Sequence, residues 1–354
     1  MRSPVEDARD LLVSTNDDEV KSLRRAVKEW GKERHDLYRK IELLEKIDGA
    51  RATPPNWLAP KESRRGHHAT AALQITDTHF EEVIDPDEID GLNKYDRRIA
   101  SMRLRRCFDQ FLVVTRDYMK GVTYDGIVVP MTGDIFSGNI HEELKETNVS
   151  TLFDGLLYWL DPMVAGIRML AGEFGKVHIP CAAGNHGRQT RKEIAKRYAK
   201  DNLDWLFYRL LAREFSNDPR VTFQITDGAT VQWRSYNTRF AARHGNKGFR
   251  GGNGISGIFS ALMLGQHRMT RKHIAMQQPY DVLVLGHFHQ FVRMPSVIVG
   301  PALKGFDEYA ASCNFEPSPQ HPDSSAQAFW LVTPEHGVTQ ADVIWTADRV
   351  TEKW

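Results

Sequence analysis

The sequence predicts an α/β protein in which two mixed β-sheets pack face to face with helices outside. Three observations carry that expectation. Short apolar runs alternate with segments long enough for covering helices, two groups of closely spaced strands interrupt the alternation, and the buried runs end in metal-ligating residues. The runs AALQIT (71–76), GIVVPMT (126–132), VHIPCAA (177–183) and DVLVLG (281–286) suit strands buried on both faces. Helical stretches are predicted at 95–120, 150–174, 190–214 and 256–277. Between 221 and 243, VTFQIT, ATVQWR and RFAAR follow one another closely, and PSVIVG, QAFWLVT and QADVIW close the chain.

The first 48 residues read as a helical appendage. Val20, Leu23, Val27, Trp30, Leu37, Ile41 and Leu44 keep a 3-4 spacing broken only by Arg34, a seam of about four heptads. Two readings stand: a coiled coil that makes the chain a homo-oligomer through residues 17–48, or an amphipathic helix packed on its own catalytic domain. Gly31 weakens the helix midway. Residues 49–68 contain three prolines and no period, as a linker would, and the catalytic domain is expected over 69–354.

Across 354 residues, 47 Lys and Arg face 46 Asp and Glu, so a net charge of +1 gives no global attraction for a polyanion. Any phosphate attraction must be local. The start lacks the pattern of a secretory signal and no window approaches 18 uninterrupted apolar residues, so the protein is expected to be cytoplasmic, without a membrane partner. Cys107, Cys181 and Cys313 lie far apart and read as buried thiols.

Five of the 14 histidines sit where an apolar run ends. After AALQIT comes Asp77-Thr78-His79; after GIVVPMT, Gly133-Asp134; after VHIPCAA, Gly184-Asn185-His186; after RFAAR, His244-Gly245; after DVLVL, Gly286-His287-Phe288-His289. Strand ends are where sites form in such sheets. Mixed oxygen and imidazole donors suit manganese, iron or zinc better than magnesium or calcium. Residues i and i+2 of an extended strand end point the same way, which would let one short segment present two donors. Taken singly, each segment is more often a cap or a satisfied polar residue. The five in series form a joint signal.

That series resembles the calcineurin-like metallophosphoesterase family, whose motifs run D-x-H, G-D, G-N-H, H and G-H-x-H, over about residues 71–300 and on through the closing strands. The resemblance implies the four-layer fold of two mixed sheets between helices and two divalent cations, manganese first, with iron, zinc or magnesium as alternatives. It implies that Asp77, His79 and His289 hold one ion, that Asn185, His244 and His287 hold the other, and that Asp134 bridges them. His186 would lie unliganded beside the scissile phosphate and assist the leaving oxygen while an activated water attacks phosphorus in line. Members commonly place an acid directly after G-N-H; here Gly187 and Arg188 follow. Arg188 then reads either as a phosphate contact or as half of a structural ion pair.

Gly133 to Asn139 also resembles the G-D-x-F-x-x-N pattern of the SbcD-type exonucleases, with His141 where that branch has proline. Asn139 and His141 are therefore candidate substrate contacts, and His141 otherwise reads as a helix-start residue. Lys247 and Arg250 lie in the glycine-rich stretch after His244, and Arg268, Arg271, Lys272 and His273 follow on a predicted helix. These favour DNA as substrate, the enzyme acting alone or with an ATPase partner that docks on the helical appendage. The alternative is a phosphatase or phosphodiesterase for small phosphoesters, cyclic nucleotides or phosphoproteins, with residues 301–326 as a lid. A metal-binding scaffold without catalysis would be at odds with the complete ligand set.

Overall fold

The computed structural model describes residues 21, 28, 55–58, 67–140, 142–249, 257–312 and 317–354. The predicted heptad segment, with the oligomer and ATPase-docking readings attached to it, lies outside the described residues apart from Lys21 and Lys28.

Eleven strands form two mixed sheets among the described residues. In the first, β1 (His67–Leu73), β2 (Val122–Val128), β3 (Val177–Cys181) and β4 (Val221–Ile225) run parallel, and the antiparallel pair β10 (Ala326–Thr333) and β11 (Gly337–Trp345) extends the β1 edge. In the second, β6 (Thr238–Arg243), β7 (Val282–Leu285) and β9 (Val297–Val299) are parallel, flanked by antiparallel β5 (Val231–Ser235) and β8 (Val292–Met294). The strands predicted between 221 and 243 thus divide: β4 closes one sheet, and β5 and β6 begin the other.

Three apolar clusters define four layers. Between the sheets lie Ala72, Val128, Trp233, Phe240, Val284 and Trp330. The outer face of the first sheet is covered by α1 (Arg97–Val113), α3 (Leu152–Phe174) and α4 (Leu203–Glu214), through residues such as Phe108, Phe111, Trp159 and Phe207. α5 (Gly257–Ala275) covers the second sheet with Leu262 and Met269. Short helices α2 (Glu142–Thr147), α6 (Glu308–Ser312) and α7 (Arg349–Glu352) complete the order.

Local chemistry sets the helix ends. Asp96, Thr151 and Asn202 cap α1, α3 and α4 by accepting from Ile99, Asp154 and Asp204 N–H groups. α3 stops at Gly175, whose φ of 68° lets its N–H reach the Ala171 carbonyl. The helix expected from 190 begins only at Leu203. The Arg188 guanidinium donates to the carbonyls of Asn185, Thr190 and Arg191, Arg197 has a φ of 55°, and both divert the chain into turns. His273, predicted on a basic surface, is buried, with Nδ1 3.0 Å from Gln232 Nε2.

Cys107 and Cys181 are buried, as expected. No described helix is long and apolar enough to cross a membrane. Leu58, inside the stretch read as a linker, is buried in the inter-sheet core, and its carbonyl accepts from Tyr236 N. Leu58→Ala should therefore destabilise this domain by about 2–5 kcal/mol, read as a lowered midpoint in denaturant unfolding. An unchanged midpoint would mean that residue 58 is not part of the core.

Candidate metal centre

Beyond Leu73 the chain stays paired with its neighbour. Ile75, Asp77, His79 and Phe80 donate to the carbonyls of Pro130, Gly133, Asp134 and Ile135, and Ala182 donates to that of Met131. This continued pairing sets the Asp77–His79 and Gly133–Asp134 segments alongside each other, with the chain after β3 next to them. From the second sheet, Gly286 N donates to the His244 carbonyl, and His287 N reaches the Asp77 carboxylate at 2.9 Å. All five candidate ligand segments thus follow the C-terminal ends of parallel strands.

Strand alternation is not what aims the side chains. Asp77, His79, Asp134, His287 and His289 have φ values of 47°, 45°, 49°, 74° and 55°, in the left-handed region that non-glycine residues rarely occupy. The expectation that i and i+2 share a face on extended chain is therefore corrected for Asp77/His79 and His287/His289, where the chain is kinked into the left-handed region at both residues of each pair. Such conformations persist where the surroundings enforce them, and they concentrate at functional sites.

Three overlapping groups result. Asp77, His79 and His289; His79, Asp134 and His186; and Asp134, His244 and His287 each place one donor atom per residue within 4.8 Å of the others. His79 Nε2, His244 Nε2 and Asn185 Oδ1 are buried without a hydrogen-bond partner. His244 Nε2 lies 2.8 Å from Asp134 Oδ2, yet the two are not aligned as a hydrogen bond. His244 Nδ1 is 2.9 Å from the Thr132 carbonyl, and His186 Nδ1 is 2.8 Å from that of Ser137. A carbonyl only accepts, so both rings carry a proton on Nδ1, and in the neutral ring the lone pair lies on Nε2.

The electrostatics favour cations. Asp77 and Asp134 are buried, and the counter-charges facing them are histidines, charged only when protonated. Burial would raise Asp77, but the His289 hydrogen bond and the charges of His244 and His289 bring it down to about 2. Burial would likewise raise Asp134, but the charges of His244 and His186 hold it well below the usual carboxylate range. Burial would lower His244, yet Asp134 holds it up to about 9, whereas burial pulls His287 to about 4 and His186 to about 3. In the metal-free chain a proton on His244 thus balances Asp134. Convergent carboxylate, amide and imidazole donors, several without other partners, fit two divalent cations sharing Asp134.

Sequence reasoning missed the support around these ligands. Glu82 Oε2 lies 3.0 Å from His79 Nδ1, while Lys304 Nζ donates to Glu82 Oε1 at 2.7 Å and pairs with Asp307. A carboxylate behind a ligating imidazole favours the tautomer that presents the other nitrogen to a metal. Asp204 is buried and accepts N–H groups from both the Asp134 and the Gly184 segments; burial and the charge of Asp134 push it up to about 7. Glu82, three residues after His79, was the readable signal; Lys304 and Asp204 look like surface residues in sequence.

The predicted substrate contacts fare differently. Besides bracing its loop, Arg188 forms a bridge with Asn202 through the backbone. Asn139 is exposed, with Oδ1 3.4 Å from Asn148 Nδ2. Lys247 lies 4.5 Å over the Tyr198 ring and 3.6 Å from Glu193. His141 and Arg250 lie outside the described residues. Residues 301–307, in the stretch considered as a lid, are scaffold: Leu303 N donates to the Asp77 carbonyl, and Leu303, Lys304, Phe306 and Asp307 are buried.

No family model matches the sequence, and no curated protein matches it. Among solved structures the chain is similar to a dimetal phosphatase from Danio rerio, at 12% identity and TM-score 0.34 over 78% of this chain and 99% of that one. It is also similar to a putative 5'-nucleotidase from Staphylococcus aureus, at 11% identity and TM-score 0.34 over 79% of this chain and 55% of that one. Vacuolar Protein Sorting 29 from Cryptosporidium parvum gives 14% identity and TM-score 0.30 over 78% and 96%. Likeness of this extent leaves the chemistry to be argued from the side chains themselves.

The His244 shift has a pH consequence. Its folded value near 9 exceeds the ordinary 6.5, so its stabilising contribution is full below pH 6.5 and is lost as pH rises through 9. The Tm of chelator-treated protein should fall between pH 6.5 and 9, while metal-loaded protein, in which a cation replaces that proton, changes less. Calorimetry at matched ionic strength reads both; a flat metal-free profile would remove the proposed proton from the centre.

Proposed function

We propose that this chain is a hydrolase that uses two divalent metal ions to cleave phosphate esters, with DNA as the first candidate substrate. The observation that carries the reading is the run of three overlapping groups linked through His79 and Asp134, with the His79 Nε2, His244 Nε2 and Asn185 Oδ1 donors unpartnered among them. Asp77, His79 and His289 would hold one ion, and Asn185, His244 and His287 the other. When bound, two such ions lower the pKa of a shared water and neutralise phosphate oxygens.

The chain's own residues do the rest. Asp134 fixes the separation of the two sites, held by the His186 N–H on Oδ1 at 2.7 Å. His186, fastened by Nδ1 to Ser137, keeps its ring at the edge of both His79 and Asp134. Its neutral form accepts at Nε2; protonating a leaving oxygen requires the substrate's negative charge to raise the ring from its low value. The mixed oxygen and imidazole donors suit manganese, iron or zinc, with manganese the first candidate.

The nuclease reading draws support from the Gly133–Asn139 pattern and from the exposed Arg268 and Arg271 on α5. An ATPase partner and self-association through residues 17–48 belong to the same reading. The alternative, a phosphatase or phosphodiesterase for small esters, is favoured by Arg188, whose guanidinium contacts its own loop, and by Lys247, which pairs with Glu193 of the neighbouring segment.

Manganese-dependent hydrolysis of linear DNA, circular single-stranded DNA, a nitrophenyl diester and a nitrophenyl monoester separates the two. DNA cleavage is expected, with His186→Ala lowering kcat about 10²–10⁴-fold at unchanged metal content. Asp134→Ala should lose both activity and metal. Turnover confined to the small esters would install the alternative, and activity surviving Asp134→Ala would end the two-metal reading.

A further inference from the structure

We infer that Asp204 is a positioning residue that sets Asp134 against Asn185, and so acts more strongly on the metal site formed by Asp134, Asn185, His244 and His287 than on the other. The inference rests on the two-metal reading above.

Asp204 lies in the first turn of α4 with no solvent exposure. Its Oδ2 accepts from Asp134 N and from Gly184 N, both at 2.9 Å, and its Oδ1 accepts from Ile135 N at 3.2 Å. These three N–H groups belong to two separate segments. One carries the shared ligand Asp134; the other leads directly into Asn185. A single carboxylate therefore sets the distance between two ligands that the strands alone bring only near each other. Its hydrogen bonds do not reach the Asp77, His79 or His289 side chains directly; Asp77 and His79 meet the braced segment only through their backbone N–H groups, and their side chains are supported by Glu82 and, through His287 N, by the second sheet.

The residue type is dictated by the donors. Three N–H groups converge on two oxygens, and only a carboxylate offers acceptors on both; an amide would set an NH₂ group against one of them. The position is itself fixed. Asn202 Oδ1 accepts from Asp204 N at 2.8 Å, and Asn202 Nδ2 donates to the Gly184 carbonyl at 2.9 Å. At Gly187 a Cβ would lie 2.3 Å from Asn202 Oδ1, so no side chain can enter beside His186 without displacing this brace.

The test isolates each site. His289→Ala leaves the Asp134–Asn185–His244–His287 site as the principal Mn²⁺ position, and His244→Ala leaves the Asp77–His79–His289 site. Mn²⁺ titration by calorimetry is run on both backgrounds with and without Asp204→Asn, and with Asp204→Ser should the amide variant not fold. Asp204→Asn should weaken Mn²⁺ binding about tenfold or more in the His289→Ala background, where both braced segments supply ligands, and distinctly less in the His244→Ala background, where Asp134 alone is affected. In the otherwise wild-type chain, electron paramagnetic resonance at two equivalents should change from an exchange-coupled pair toward a single-ion signal. Equal weakening in both backgrounds would reduce Asp204 to general scaffolding, and no weakening in either would remove its role; both outcomes overturn the inference. Wild-type protein that takes up fewer than two ions would overturn the two-metal reading along with it, a result visible before any Asp204 variant is made.

Discussion

Two carboxylates, Asp77 and Asp134, are buried side by side, and the surrounding structure is organised by the cost of keeping them there. An ion removed from water loses several kcal/mol unless charges and hydrogen bonds replace its hydration. Backbone amides do part of this: His287 N on Asp77, His186 N on Asp134. The Thr76 hydroxyl donates to Asp77 at 2.6 Å. The remaining lone pairs face histidines from both sheets. Only an architecture that gathers the C-terminal ends of β1, β2, β3, β6 and β7 at one edge of the sandwich can supply donors from five segments at once, so the topology and the charge problem have the same solution.

That solution requires room as well as donors. A Cβ on Gly184 would lie 2.1 Å from Asp134 Oδ1, and one on Gly286 would lie 2.2 Å from Thr76 Oγ1 and 2.5 Å from Asp77 Oδ2. The glycines in G-N-H and G-H-x-H therefore stand where the acids occupy the space of a side chain. The neighbouring ligands bear the conformational cost, with five non-glycine residues held at positive φ at about 1–3 kcal/mol each. Hydrogen bonds between adjacent loops, such as Asp77 N to the Gly133 carbonyl and His79 N to that of Asp134, keep the kinks from relaxing.

What the sequence disclosed follows the same physics. Strands buried on both faces leave uninterrupted apolar runs, and ligands at their ends leave a fixed order of Asp, Asn and His, so both were readable. The change of sheet between β4 and β5 was not, because an edge strand of either sheet has the same composition. The non-helical stretch before Leu203 was also hidden: Ile194, Tyr198 and Ala199 give helical spacing, and the Arg188 contacts that divert the chain depend on tertiary structure. Lys304 and Asp204 were invisible for a third reason. Charged residues are mostly exposed, and only the fold reveals that these are enclosed and paired.

The rim is a constraint of its own on the substrate. The Tyr198 hydroxyl lies within hydrogen-bond reach of the Ala183 and Gly184 carbonyls and of Asn246 Oδ1, and Asn246 in turn donates to Glu193. Lys247 closes the same contact by lying over the Tyr198 ring. Residues 188–198 and 246–247 are therefore joined into one wall that ends at the carbonyls directly before Asn185. A cationic side chain built into such a wall stabilises the loop that presents a metal ligand, and that use competes with gripping a phosphate. On the proposed two-metal reading, attraction for an anionic substrate then has to come mainly from the bound ions, and discrimination between a polymer and a small ester from the shape the wall allows.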